Sequence, residues 1–314
     1  MSNNKYCYEG RLIGTRENRE YTSSLAMLER ARQEGKILEG VVKMCDSATL
    51  EMHLDLGEVE GIIPKEESVY GVPVKDIAII TRVGKAVAFK ILEIEKNEGE
   101  KPRAILSRKE AQKECMQNYL LDLVPGDIIP AKITHFENFG AFVDIGCGIA
   151  SLLSVDSVSV SRITSPRDRF LPREEIFVVV KEIDYESGRI YVSTKELFGT
   201  WEENSAVFEV GQTVSGVVRS VEGYGIFVEL APNLAGLAEL KENVHVGDGC
   251  SVYIKSIMPE KMKIKLVIID TYEMEKQPQG SPQFMIDTSK VTHINKWRYS
   301  PEGCSKIIET TFNV

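Results

Sequence analysis

The sequence predicts an all-β fold of three tandem small units joined by short helices, with an N-terminal helix and a C-terminal extension. Three observations predict it. The segment THFENFGAFVDI, 134–145, lies over RSVEGYGIFVEL, 219–230, without a gap, and a constant offset of 85 residues pairs Phe139 with Tyr224 and Phe142 with Phe227. Self-similarity at a fixed spacing is the signature of a repeat architecture. Around both copies, runs of Val, Ile, Phe and Tyr between Gly, Pro and Asp turns read as short strands. Between the copies, the spacing of apolar residues changes from strand-like to helical.

Taken in order, residues 1–34 form an N-terminal arm in which Ser23–Gln33 reads as an amphipathic helix closed by Gly35. The first unit, 35–108, has the strand, strand, Gly turn, strand order of the other copies, and AVAFKILEIEKNEGEKPRAILS from Ala86 is its closing segment. Its motif position holds Ser47, Ala48 and Leu50 and no aromatic ring. A helical linker follows at 109–125: Ser107-Arg-Lys-Glu110 is a capping box, and Ala111, Cys115, Tyr119 and Leu123 recur every fourth residue until Pro125-Gly126. The second unit, 126–197, carries the aromatic motif and closes with IFVVVKEIDYESGRIYVS from Ile176. Just before the linker 198–210, a second box, Ser193-Thr-Lys-Glu196, opens a helical run through Phe198 and Trp201 toward Gly211. The third unit, 211–270, closes with SVYIKSIMPEKMKIKLV from Ser251. The extension, 271–314, begins with a turn or linker, EKQPQGS at 275–281, and from Pro282 matches none of the repeats.

Of 314 residues, 27% are charged and 43% hydrophobic, the balance of a globular protein. No apolar run approaches the roughly 20 residues that span a bilayer, and the polar start lacks a signal-peptide core, so a cytoplasmic location is expected. Lys and Arg number 38 against 47 Asp and Glu, a net charge of −9. That excludes attachment to nucleic acid by a broad basic surface alone, and leaves stacking combined with a local basic groove. Six scattered cysteines show no CxxC and no zinc spacing, and read as buried free thiols. Phosphate-loop, dinucleotide, HExxH and GxSxG motifs are absent, and the four histidines lie far apart, so neither enzyme activity nor a metal or other cofactor is expected.

Strand alternation in FGAFVDI puts Ala141, Val143 and Ile145 on the inner face and Phe142 and Asp144 on the outer one. The third unit repeats this, with Ile226, Val228 and Leu230 inward and Phe227 and Glu229 outward. Phe139 and Tyr224 each precede a glycine, which can take a bulge that brings the first ring beside the second. Each unit then offers two rings, the size of a stack for one or two nucleobases; the alternative is a cover for a neighbouring element. Lys132, Lys181 and Arg189 fall on strands expected to flank the rings. The loop SRITSPRDRFLPR, 161–173, sets Arg162, Arg167, Arg169 and Arg173 against Asp168 alone, which reads as a phosphate track or a solvated loop. In the third unit, Arg219, Lys255 and Lys263 take similar places. Asp184 and Arg189 span the last turn, as a turn cap or a ligand pair.

The FENFGAFVDI, VKEIDYESGRIYVS and VEGYGIFVEL segments closely resemble the S1 RNA-binding domain. The resemblance is strong over the second unit, moderate over the third and weak over the first, which is similar to the degenerate opening domains of bacterial ribosomal protein S1 and implies docking more than stacking. It implies three five-stranded OB-fold barrels. It places the ligand face on Phe139 and Phe142 with Phe136 nearby, on Asp184 and Arg189, and on Tyr224, Phe227 and Lys263. The family's histidine falls on Ser154 in the second unit and on Glu239 in the third, and the third unit also has Met258 at the Asp position, so weaker binding is expected there. The implied function is non-catalytic binding of single-stranded RNA, with mRNA as the ligand and the 30S ribosomal subunit as a partner, and with no membrane and no small-molecule substrate. The alternatives are a protein-interaction scaffold and an accessory RNA-binding subunit of an RNA-processing or degradation assembly. In the extension, HINKWRYSP, with Lys296, Trp297, Arg298 and Tyr299, reads as a hairpin or strand docked on the third unit, or as a segment that stacks on RNA.

Overall fold

Alternating apolar residues close each repeat into a barrel. The computed structural model describes residues 5–71, 75–96, 99–274 and 283–312, so the EKQPQGS segment lies outside the described residues. The first barrel is built from β1 Leu38–Cys45, β2 Met52–Leu56, β3 Val59–Ile63, β4 Ala86–Glu95 and β5 Arg103–Ser107. The second uses β6 Ile128–Glu137, β7 Gly140–Asp144, β8 Ala150–Ser154, β9 Glu175–Asp184 and β10 Arg189–Ser193. The third uses β11 Thr213–Glu222, β12 Gly225–Ala231, β13 Leu234–Ala238, β14 Gly249–Met258 and β15 Lys263–Tyr272. All three are closed, with one cyclic strand order: first, second, third, fifth, fourth. In each, the third and fifth strands pair in parallel. Closure leaves no unpaired edge, and five strands in this order are the OB architecture.

The helices are α1 Arg16–Tyr21, α2 Leu25–Gln33, α3 Asp76–Ile80, α4 Arg108–Asn118, α5 Val155–Val158 and α6 Trp201–Ser205. Ser107 caps α4 by accepting from the Glu110 N–H at 2.8 Å, and Ala111 and Cys115 face inward from it, fully buried. The run after Glu196 departs from the sequence expectation. It is a 3-10 turn over Lys195–Phe198 that stops at Gly199, whose φ of +77° ends the helical path. The reciprocal capping box is Thr200 with Glu203, and it starts α6 and buries Trp201.

The chain divides into two compact units, Met1–Leu123 with Asp144–Ala150, and Val124–Val143 with Ser151–Val314. In the first, the N-terminal arm is held by its backbone. The buried Glu39 carboxylate accepts from the N–H groups of Gly10, Leu12 and Ile13 at 3.0, 2.9 and 2.8 Å. Asp144, expected outward, does leave the barrel interior, but it is buried: it accepts from the N–H groups of Glu9, Gly146 and Gly148 at 2.7, 2.9 and 3.0 Å. Burial pushes the Glu39 carboxyl from its ordinary 4.5 up to about 7. A folded-state value above the unfolded one means that the folded chain binds the extra proton. This group's contribution to stability is therefore full below about pH 4.5 and declines as pH rises through about 7. Glu39→Gln is expected to flatten that decline in urea midpoints measured across the window; an unchanged slope would contradict the assignment.

In the second unit, the extension forms a hairpin of β16 Lys296–Arg298 and β17 Glu309–Thr311. Trp297 and Tyr299 are buried in the core of the third barrel. The extension also reaches the second barrel, which the sequence reading did not anticipate. Phe284, Ile286 and Phe312 pack with Ile128, Val179 and Leu197, and the Ile128 N–H donates to the Thr292 carbonyl at 2.8 Å.

Candidate nucleic-acid interface

The two repeats place their rings in the same geometry. Phe139 and Phe142 meet edge to face, with centroids 6.2 Å apart and planes at 86°. Tyr224 and Phe227 stand at 6.1 Å and 89°. Phe139 is 55% exposed and Tyr224 71%, while Phe142 and Phe227 are half-buried. In each pair, then, one ring is a wall and the other a floor. Ordinary core packing does not hold a phenyl or phenol in water at the same place twice.

The glycine after the first ring makes this possible. A Cβ on Gly140 would stand 2.5 Å from the Leu153 carbonyl, and one on Gly225 would stand 2.7 Å from the Ala238 carbonyl. The strands approach here too closely for any side chain, and the preceding residue turns outward. Gly140→Ala is expected to destabilise the protein by about 1–3 kcal/mol through that backbone clash, read as a lower urea midpoint; an unchanged midpoint would contradict the packing argument.

A third ring joins the second-barrel pair. His135 stacks on Phe142 with centroids at 4.6 Å and planes 12° apart. Strict alternation from the buried Ile133 would put His135 inside the barrel, yet both Thr134 and His135 are exposed. In β11 the pairing slips between Val218 and Ser220, the same step in the repeat, and such a bulge resets which side faces out. At the offset of 85, Ser220 occupies the place of His135, so the third barrel lacks this ring.

Hydrogen bonds tie one of the expected polar groups, Lys181, to the second-barrel platform. The Lys181 ammonium lies 3.4 Å from the Ser157 hydroxyl, which accepts from Ser154 at 2.9 Å, and the Val155 N–H donates to the Phe139 carbonyl at 2.9 Å. Lys181 thus stands at the platform's edge. Lys132 is half-buried on β6 opposite Glu175. Arg189 is exposed and opposite Asp184 in register. Asp184 caps the turn: bonds from the Ser187 hydroxyl and amide and from the Glu186 N–H hold its carboxyl below the usual range. At the equivalent edge of the third barrel, the Lys255 ammonium is 3.9 Å from the Glu239 carboxylate, which would meet an incoming phosphate with like charge.

Two expected phosphate contacts are corrected. Arg169 is 4% exposed, and its guanidinium donates to Glu229 at 2.5 Å and to the Pro232 carbonyl at 2.9 Å. Arg219 is paired with the same carboxylate in two bonds, of 2.9 and 3.0 Å, and with Asp168 at 3.3 Å. Glu229, expected outward, lies under the loop of the second barrel as the centre of this cluster, and both arginines are consumed in holding the loop to the third barrel. The rest of the loop's charge remains accessible. Arg167 is exposed with its guanidinium 4.6 Å from the centre of the half-buried Phe136 ring, a cation–π contact. Arg162 has 82% of its side chain exposed and lies 3.5 Å from Glu222. Lys263 is exposed at the start of β15.

Among the described residues, no group of three or more His, Cys, Asp or Glu side chains could hold a metal ion, and no helix is long and apolar enough to cross a membrane.

Comparison with known proteins gives a consistent pattern. Residues 123–195 match the S1 RNA binding domain family. The small ribosomal subunit protein bS1 of Rhizobium meliloti is 28% identical over 282 residues, covering 84% of this chain and 48% of its own length. The bS1 homolog of Bacillus subtilis is 28% identical over 213 residues, 66% of this chain and 54% of its own. For bS1 of Staphylococcus aureus, the identity is 28% over 290 residues, with 87% and 71% covered. The chain spans about half the length of the first two.

Proposed function

From the premise that this chain carries an S1 RNA-binding domain homologous to that of bacterial ribosomal protein bS1, in a multi-repeat arrangement, we propose that it binds single-stranded RNA by stacking bases on the second barrel, with the third assisting. The observation that carries this reading is the repeated edge-to-face ring pair with one ring held in solvent. A base laid against Phe139 covers an exposed face, and the His135–Phe142 stack beside it extends the platform. We assign phosphates of the passing backbone to Lys181 and Arg189. A duplex keeps its bases stacked on one another and offers such rings nothing.

The ligand we assign is mRNA, at the small ribosomal subunit, because the relatives that cover most of this chain are small-subunit proteins. The first barrel we assign to docking. Its motif position holds Ser47, Ala48 and the buried Leu50, while Ile77 and Ile80 of α3 are 62% and 41% exposed.

Fluorescence anisotropy of a labelled single strand, with a duplex of equal length as control, tests the reading. The single strand should bind more tightly, and binding should weaken as salt rises through counterion release. Equal affinity for the two, or no binding at tens of micromolar, would overturn it.

A further inference from the structure

Beside the rings of the third barrel, a cleft of 460 Å³ is walled partly by that barrel and partly by chain from outside it. One wall is Tyr224 and Phe227 with Lys261 and Lys263; a second is Val160–Arg162 from the loop of the second barrel; a third is Tyr299, Lys306 and Ile308 from the C-terminal hairpin. The loop is fixed by the buried Arg169–Glu229 pair and the half-buried Arg219–Asp168 pair, and the hairpin by Trp297 in the core and by the Tyr299 hydroxyl on the Asn233 carbonyl. These walls are therefore preformed.

Their charge is one-sided. Lys261, Lys263 and Lys306 are exposed, and among the described residues none of them is ion-paired; Arg162 is shared with Glu222 at 3.5 Å. Arg219 also lines the cleft but is already neutralised by Glu229 and Asp168. Unpaired cations around an exposed tyrosine ring and its half-buried partner fit an anion that carries a flat ring. We propose that the C-terminal hairpin and the second-barrel loop complete a site on the third barrel for a further segment of the bound RNA strand, with Lys306, Lys261 and Arg162 on its phosphates and Tyr224 on a base. The inference rests on the single-strand reading above. It gives the extension, which matches none of the repeats, a direct part in binding.

The test uses the full chain and a labelled oligouridine of about 20 nucleotides, long enough for two OB folds at roughly 4–16 nucleotides each. Lys306→Glu is expected to weaken binding about tenfold and to reduce the slope of log affinity against log salt by about 0.7, the loss of one single-strand phosphate contact. Lys290→Glu makes the same charge change on the extension at a side chain 81% exposed and outside the cleft lining, and should bind as the parent does. If Lys306→Glu and Lys261→Glu both match the parent in affinity and slope while Phe139→Ala/Phe142→Ala loses binding, the cleft is not a site and the single-strand reading stands. If the parent itself fails to bind, both fall. Uridine monophosphate at equal nucleotide concentration should not displace the strand; displacement would assign the cleft to a free nucleotide and overturn the proposal.

Discussion

Replacing Phe139 and Phe142 together by alanine is expected to lower the affinity for single-stranded RNA by about 30-fold or more, since each lost base stack is worth ~1–3 kcal/mol and each 1.4 kcal/mol is tenfold. The pair forms one surface, with Phe139 as the exposed wall and Phe142 as the floor backed by His135. Removing both leaves Lys181 and Arg189 to attract phosphate without a base to hold. The residual binding should be weaker, strongly salt-dependent and indifferent to strandedness. The matching change at Tyr224 and Phe227 should cost less, because Ser220 replaces the stacked histidine there and Glu239 stands by Lys255. Urea midpoints of the variants separate a lost surface from a lost fold: Phe139 is already 55% exposed, so its truncation should barely move them. A folded double variant that binds as the parent does would remove stacking from the account.

Arg108→Ala is expected to destabilise the protein by about 3–5 kcal/mol, the cost of stranding a buried charge. Arg108 is 3% exposed and joins three pieces of the first unit: it donates to the Glu9 carboxylate at 2.6 and 3.2 Å, to the Ser68 carbonyl at 3.0 Å and to the Gly148 carbonyl at 3.1 Å. Burial pushes the Glu9 carboxyl up, but the guanidiniums of Arg108 and Arg82 outweigh it and hold the group below its usual range. Without Arg108, the carboxylate keeps Arg82 at 2.8 Å and the Ala88 N–H at 3.2 Å. Arg108→Met with Glu9→Gln removes both charges and should be less destabilised than Arg108→Ala alone. Denaturation monitored by circular dichroism measures all three; a double variant no better than the single would show that lost packing, rather than the stranded charge, sets the cost.

The repeat and its alternation made the barrels legible before any coordinates, because an inward set of Ala141, Val143 and Ile145 leaves Phe142 only one side to face. The glycine after the first ring also signalled correctly that two rings would meet. What alternation hides is a slip in pairing: His135 reads as an inward residue until a bulge turns it out. Comparing the repeats offered a signal for it, since Ser220 at the matching place would be an odd choice for a core. Charge counting failed differently. The four arginines of 161–173 look like a phosphate track in sequence, but Arg169 meets Glu229 from sixty residues away, and local composition carries no information about such a partner. The same blindness made Asp144 and Glu229 look solvent-facing. Likewise, nothing in 283–312 announces by spacing that one segment packs on two barrels at once.

A base of the bound strand is expected to rest on Phe139 and Phe142. Photo-crosslinking of a single-stranded RNA carrying 5-iodouridine, followed by peptide mapping, tests it most directly, because the halogenated base couples to the aromatic ring on which it stacks. The expected result is a principal crosslink within Thr134–Phe142 and a lesser one at Tyr224 or Phe227, with the first lost in Phe139→Ala/Phe142→Ala. Crosslinks confined to the first barrel or to the arginine loop, with neither ring pair modified, would contradict it.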